Sequence, residues 1–218
     1  MRSQQAALQR GLDELALALP AGAWERLLAY LELLAKWNKT YNLTAIRDPE
    51  KMISHHLLDS LAVVPHLPTG TLADIGSGGG LPGIPLAIAQ PARRVTLNDA
   101  NHKKAAFLQQ AVIELALTNA DVHVGRVQAW RPAQPFDCVI TRGFAELADF
   151  ISACRHLLAP GGLLAAMKAC FHKPNWNACL PAPIAAMCAG CRCRCSKRSA
   201  TSCCAAARTE AWRASLRW

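Results

Sequence analysis

Leu72-Ala73-Asp74-Ile75-Gly76-Ser77-Gly78-Gly79-Gly80-Leu81-Pro82-Gly83 is a short apolar run, an acid, alternating glycines, and then residues able to open a helix. A strand that enters such a loop and leaves as a helix brings bare backbone up to a polar ligand. Glycine accepts positive φ there and carries no Cβ to block the approach. Backbone N–H groups at the start of the following helix can then receive negative charge. Asp74 precedes the first glycine at a position that a dinucleotide-binding loop keeps apolar. The spacing Asp74-x-Gly76-x-Gly78-x-Gly80 also differs from G-x-G-x-x-G. Gly76 and Gly78 are read as the ligand-facing glycines. Gly80 and Gly83 are read as those that let the helix pack close to the strand.

Downstream of this unit, strand-like runs recur at 71–75, 94–98, 121–124, 136–141 and 162–167. Helix-like runs at 82–90, 102–117 and 146–158 fill the gaps. This alternation predicts an α/β fold with a doubly wound parallel sheet, whose ligands bind at the carboxyl ends of the strands. Upstream, 4–19 and 21–37 have apolar residues at helical spacing, with Leu27, Leu28, Leu31 and Leu34 as one stripe. Trp37 to Thr44 breaks that period and reads as a polar connector. Asp48 is placed to cap a helix that starts at Pro49 and runs to about Val64. The chain divides into a helical cap at 1–68, a ligand-binding core at 69–168 and an irregular Cys/Arg-rich tail at 169–218.

A length of 218 residues fits one domain with a small extension. The net charge of +9 suggests a nucleic-acid partner, but it is uneven. Residues 1–168 hold 16 Lys and Arg against 14 acids, and the tail holds 8 against 1. The body is thus close to neutral and need not bind polyanions in general. No apolar run reaches membrane-spanning length and the first residues are polar, so cytoplasmic residence is expected. The two Asn-x-Thr matches at Asn38 and Asn42 are then chance. Cys138 and Cys154 lie in apolar surroundings and read as small buried hydrophobes.

Asp74 is a candidate to orient the loop or to meet an amino group. Asp99 ends the second strand, where an acid can accept both hydroxyls of a ribose. Dehydrogenases use the same device, so Asp99 alone leaves a nucleotide-dependent oxidoreductase open. Leu157-Leu158-Ala159-Pro160-Gly161-Gly162-Leu163 adds a tight turn between a helix and an apolar strand. With these three signals in register, the chain resembles the Rossmann-like class I methyltransferases that use S-adenosyl-L-methionine (SAM).

Longer segments narrow the resemblance. Trp37-Asn38-Lys39-Thr40-Tyr41-Asn42-Leu43-Thr44-Ala45-Ile46-Arg47-Asp48-Pro49, His56-Leu57-Leu58-Asp59-Ser60, the whole of Asp74 to Pro85, Asp99 with Lys103, Lys104 and Phe107, Val139 to Ala145, and Met167-Lys168 carry it. Over about residues 5–168 the chain resembles the RsmG (GidB) family of bacterial 16S ribosomal RNA guanine-N7 methyltransferases. The resemblance implies SAM as cofactor and the 16S rRNA of the small ribosomal subunit as partner, with no membrane; a monomer is expected. It implies cofactor contacts at Gly76 and Leu81, with Val127 and Gln128 near the adenine and Arg142 in the binding site. Many members carry a carboxylate where Gln128 stands.

N7 of guanine has a free lone pair and no proton to lose, so its attack on a methyl group needs no general base. Positioning and exclusion of water suffice. No proton-transfer residue is assigned, and Arg142 is the candidate for holding the substrate. Lys36, Lys39, Arg47, Arg93, Arg94, Lys103 and Lys104 are candidate RNA contacts. His56 and Asp59 share a helix face but make too few ligands for a metal, so they are expected to hold the helical cap on the sheet.

After Lys168 no clear strand or amphipathic helix is legible, whereas the family continues with a connector and two further strands. Eight of the ten cysteines stand at or after Cys170. The change in Cys, Arg and Trp usage suggests a shifted reading frame. In that case the fifth strand becomes an exposed edge, and the product is a catalytically impaired SAM- or RNA-binding protein. Zinc held by Cys188, Cys191, Cys193 and Cys195 and a basic RNA-binding tail are the rival readings of the same text.

Overall fold

The computed structural model describes residues 2–144, 146–168 and 184–188. The zinc and RNA-tail readings of the segment after Lys168 lie outside the described residues. Six parallel strands form one sheet in the order β3-β2-β1-β4-β5-β6. They are β1 (Leu72–Ile75), β2 (Val95–Asp99), β3 (Ala120–Val124), β4 (Phe136–Arg142), β5 (Leu158–Lys168) and β6 (Ile184–Cys188). The order reverses between β1 and β4, which opens a crevice at the carboxyl ends of those strands. β6 corrects the expectation that no strand follows Lys168 and that β5 ends the sheet. Ile184–Cys188 pairs with Leu164–Lys168 in parallel register. A five-residue apolar run with no alternation is a weak sequence signal, and only its pairing with β5 identifies it.

The helices are α1 (Arg2–Glu14), α2 (Ala23–Tyr41), α3 (Pro49–Met52), α4 (Asp59–Leu61), α5 (Gly83–Ala89), α6 (His102–Glu114) and α7 (Leu147–Cys154). Asp48 caps α3 as expected, its carboxylate accepting from the N–H groups of Glu50 and Lys51. Two expectations are corrected. The helix begun at Pro49 does not run unbroken to Val64; Ile53–Leu58 widens into a π turn between α3 and α4. Helix α2 also runs on through the expected connector to Tyr41. Packing overrides the polar text there: Trp37 meets Phe107 of α6 edge-on, and buried Asn38 accepts from the Thr44 N–H. The buried stripe of α2 holds Tyr30 with Leu27, Leu31 and Leu34, while Leu28 is only half-buried.

One large core joins α1, α2, α5 and α6 to one face of the sheet. A smaller core packs α7 on the other face, through Ala73, Ile75, Val139, Phe150 and Cys154. Cys138 and Cys154 are buried free thiols within these cores, and burial pushes both up to about 12. Pro160-Gly161-Gly162 lies inside β5 and interrupts its pairing: Phe136 pairs with Leu158, but Cys138 pairs with Leu163. Among the described residues no helix is long and apolar enough to cross a membrane.

Candidate cofactor and substrate site

Alternation along the strands assembles the site. Leu72 of β1, Val95 and Leu97 of β2, and Cys138 and Ile140 of β4 face the large core. Continuing each series by two residues brings Asp74, Asp99 and Arg142 to the carboxyl ends of the three strands on that same face. Charged groups thus occupy the last positions of otherwise apolar rows.

Asp74 is fully buried. Its Oδ2 accepts from the Gly83 N–H at 2.9 Å, which ties β1 to the first turn of α5. Among the described residues its Oδ1 has no hydrogen-bond partner. Burial raises the carboxyl to about 7, against the opposing pull of the Gly83 N–H and the Arg142 charge. Gly83 fits only as glycine, because a Cβ there would run into Leu97 and lie 2.7 Å from the Asp74 carboxylate.

The glycine loop is open on one side and fixed on the other. Gly76 and Gly78 have φ of 69° and 58°. Among the described residues a Cβ at Gly76 would meet nothing within 4 Å, and one at Gly78 only the Gly76 carbonyl at 3.8 Å. That is empty space beside bare backbone, as the sequence predicts for a ligand cradle. Gly80, with φ of 82°, serves packing: a Cβ there would run into Ile84 and lie 3.3 Å from Leu108 of α6. The Leu81 side chain is buried in the large core.

Three anchors fix the loop. Asp99 Oδ2 accepts from the Gly78 N–H at 2.9 Å, while its Oδ1 accepts from the Asn101 N–H at 2.8 Å. Ser77 donates its N–H to the Asn98 carbonyl and its hydroxyl to the Asp74 carbonyl. The third anchor comes from outside the loop's own sequence motif. Tyr30 of α2, fully buried, donates its hydroxyl to the Gly79 carbonyl at 2.6 Å. Its one trace in the sequence is a phenol set among the leucines of an apolar helix stripe, since a buried hydroxyl needs a partner.

Val127 and Gln128 open a tight turn (Val127–Ala129) that follows β3. Val127 is buried against the smaller core, and Gln128 is exposed with its carbonyl accepting from Arg131. A shallow cavity of about 680 Å³ adjoins this turn, lined by His123, Gly125, Arg126, Trp130 and Arg131. His123 stacks on Trp130 with centroids 4.2 Å apart.

Arg142 ties the sheet to the helical layer. Its guanidinium donates to the His55 carbonyl at 2.9 Å and pairs with Asp59 at 3.4 Å. That carbonyl belongs to the π turn, and such turns recur at functional sites. His56 is buried with Nε2 2.9 Å from the Thr44 hydroxyl, and burial together with the Arg142 charge lowers it to about 4. Asp59 therefore joins the helical layer to the sheet, whereas the His56 contact with Thr44 stays within residues 1–68, and among the described residues no three His, Cys, Asp or Glu side chains gather as a metal site. Arg93 corrects the RNA-contact expectation. It is only 8% exposed and its guanidinium is spent on Gln90 and on the carbonyls of Gly70 and Pro68. Arg94 is exposed and pairs with Asp121.

The residues present suit SAM. Among the described residues Asp74 Oδ1 is a buried acceptor without a donor, and the glycine rim leaves room at Gly76 and Gly78. Each Asp99 oxygen has accepted once, and a carboxylate has about four acceptor sites, so two remain for a ribose.

Comparison with known proteins identifies a family. The GidB family model, described as rRNA small subunit methyltransferase G, matches residues 23–187. A protein of Methylobacillus flagellatus called ribosomal RNA small subunit methyltransferase G is 56% identical over 164 residues, 75% of this chain and 80% of that protein. Proteins of the same name from Chromobacterium violaceum and Neisseria meningitidis are 54% and 57% identical, over 77% and 74% of this chain and 81% and 78% of their own. Among solved structures, coclaurine N-methyltransferase bound to N-methylheliamine and SAH is similar with a TM-score of 0.46 and 13% identity, over 75% of this chain and 55% of that one. By its sequence, the chain belongs to the GidB family of small-subunit rRNA methyltransferases.

Proposed function

We propose that this protein transfers the methyl group of SAM to N7 of one guanine in 16S rRNA of the small ribosomal subunit. The observation that carries the reading is the glycine cradle: open backbone at Gly76 and Gly78, set between the carboxylates of Asp74 and Asp99. Asp74 Oδ1 would accept from the methionine ammonium, and Asp99 would accept from the ribose hydroxyls. Val127 and Gln128 border the adenine, and Leu81 contributes through the loop it closes. The cofactor supplies an electrophilic methyl on a sulfonium.

The chain's own part is to position and to exclude water. An N7 lone pair needs no base, and no nucleophile–base pair is required among these residues. Arg142 stands at the carboxyl end of β4 beside the loop, where its guanidinium holds the guanine or its phosphate. Residues 1–68 form the layer that presents RNA, and residues 69–168 form the cofactor core. The same reading takes the protein as a monomer at work in the cytoplasm, where its ribosomal substrate is.

Labelled methyl transfer from SAM to small-subunit RNA, free and in particles, tests this, with N7-methylguanine mapped by chain cleavage. Label at a single guanine is the expected result. SAM binding without transfer to either substrate would favour the catalytically impaired reading.

A further inference from the structure

The C-terminal end of α2 carries an aromatic surface that the cofactor cradle does not use. Tyr41 is 41% exposed, one of two large hydrophobic side chains so exposed among the described residues. Its ring lies 5.2 Å from that of Trp37, tilted by 31°. Trp37 in turn packs edge-on against Phe107 of α6, 5.6 Å away. Phe107 is buried, so the row is anchored in the core at one end and open to solvent at the other.

Cations stand on the elements that carry this row. Lys103 and Lys104 lie one helical turn before Phe107, and neither is ion-paired with a carboxylate among the described residues. Arg47 returns to the same end of α2, donating to Asn42, the neighbour of Tyr41. The surface also adjoins the cradle: a Cβ on Gly79 would touch Leu34 of α2 at 3.2 Å and the Leu43 carbonyl at 3.6 Å.

We propose that Trp37 and Tyr41, flanked by Lys103, Lys104 and Arg47, form a stacking platform for a single-stranded stretch of the substrate RNA beside the methylated base. The proposal rests on the function above and names the surface that holds the RNA. An exposed ring held rigid by a second ring provides a face on which an unpaired base stacks, and the cations meet the phosphates on either side of that base. The charge complementarity selects RNA, and the short distance to the glycine loop assigns the stretch to the neighbourhood of the target.

The test measures binding of fluorescent 16S rRNA transcript and of unmodified small subunits to the full chain, separately from methyl transfer. Tyr41→Ala is expected to weaken RNA binding about tenfold, as loss of one stacked base does, with SAM affinity unchanged. Tyr41→Phe is expected to restore binding, because stacking needs the ring and not the hydroxyl. Lys103→Gln with Lys104→Gln is expected to flatten the salt dependence of binding by roughly 0.7 for each phosphate that is no longer neutralised. Wild-type RNA affinity in Tyr41→Ala would overturn the platform, as would an equal loss of SAM affinity, which would mark Tyr41 as structural. Failure of the wild-type chain to methylate would count against the proposed function alone, since the binding comparison still decides the platform.

Discussion

On the sheet face covered by α2, α5 and α6, the inward rows Leu72–Asp74, Val95–Leu97–Asp99 and Cys138–Ile140–Arg142 end in charge. On the face covered by α7, Ala73, Ile75, Val139, Leu164 and Ala166 are apolar, and the β2 and β4 rows end in the neutral polar Asn98 and Thr141 rather than in charge. Both faces come from the same strands with the same pleat. They differ in what the last position of each row must do. An apolar row ends in a charge only where polar partners collect, and here those partners are the Gly78, Gly83 and Asn101 N–H groups and the Arg142 partners of the helical layer. One face holds the sheet together, and the other also shapes the cradle.

Substitutions on the two faces should therefore separate stability from cofactor binding. Phe150→Ala, on the α7 face, is expected to cost about 3–5 kcal/mol in urea unfolding while the folded fraction keeps its SAM affinity. A parallel loss of SAM affinity would show that the two faces are not independent. Gly83→Ala, on the other face, forces a methyl against Leu97 and Asp74 and is expected to cost about 1–3 kcal/mol in stability and to weaken SAM as well.

Asp74→Asn keeps the shape and removes the charge. It is expected to weaken SAM by about 2 kcal/mol, read by calorimetric titration. Asp74 also carries a pH signature. An acid raised in the folded state costs stability as pH rises between its two values, here from the ordinary 3.8 to about 7, and the cost is complete above that. The cofactor's ammonium favours the charged form, so SAM affinity is expected to rise with pH across that interval and level off above it. In Asp74→Asn the rise should disappear; its survival would assign the titration to another group.

Tyr30→Phe is the smallest change. It removes one hydroxyl and leaves the Gly79 carbonyl without its donor, at an expected cost of about 1 kcal/mol in SAM binding. Leu27→Ala, which trims the same helix but leaves that hydrogen bond in place, should lower stability without a matching loss of SAM affinity. If the two variants weaken SAM equally, the loop depends on the packing of α2 rather than on the hydroxyl.

Local pattern was enough for the strand–loop–helix unit, the strands at 71–75 and 136–141, the Asp48 cap and the open glycines. Each is written in neighbouring residues: period two, a capping side chain, or a missing Cβ. Tertiary structure decided what depends on distant partners. Tyr30 reaches Gly79 across 49 positions of sequence, and Arg142 reaches Asp59 across 83. Arg93 reads as a surface cation until the carbonyls of Pro68 and Gly70 close around it. Helix α2 outruns its sequence signal because Phe107 holds Trp37, and Ile184–Cys188 is a strand because β5 offers it a partner. A local period records which way a side chain points along its own element, whereas the partner it meets is fixed only when the elements pack.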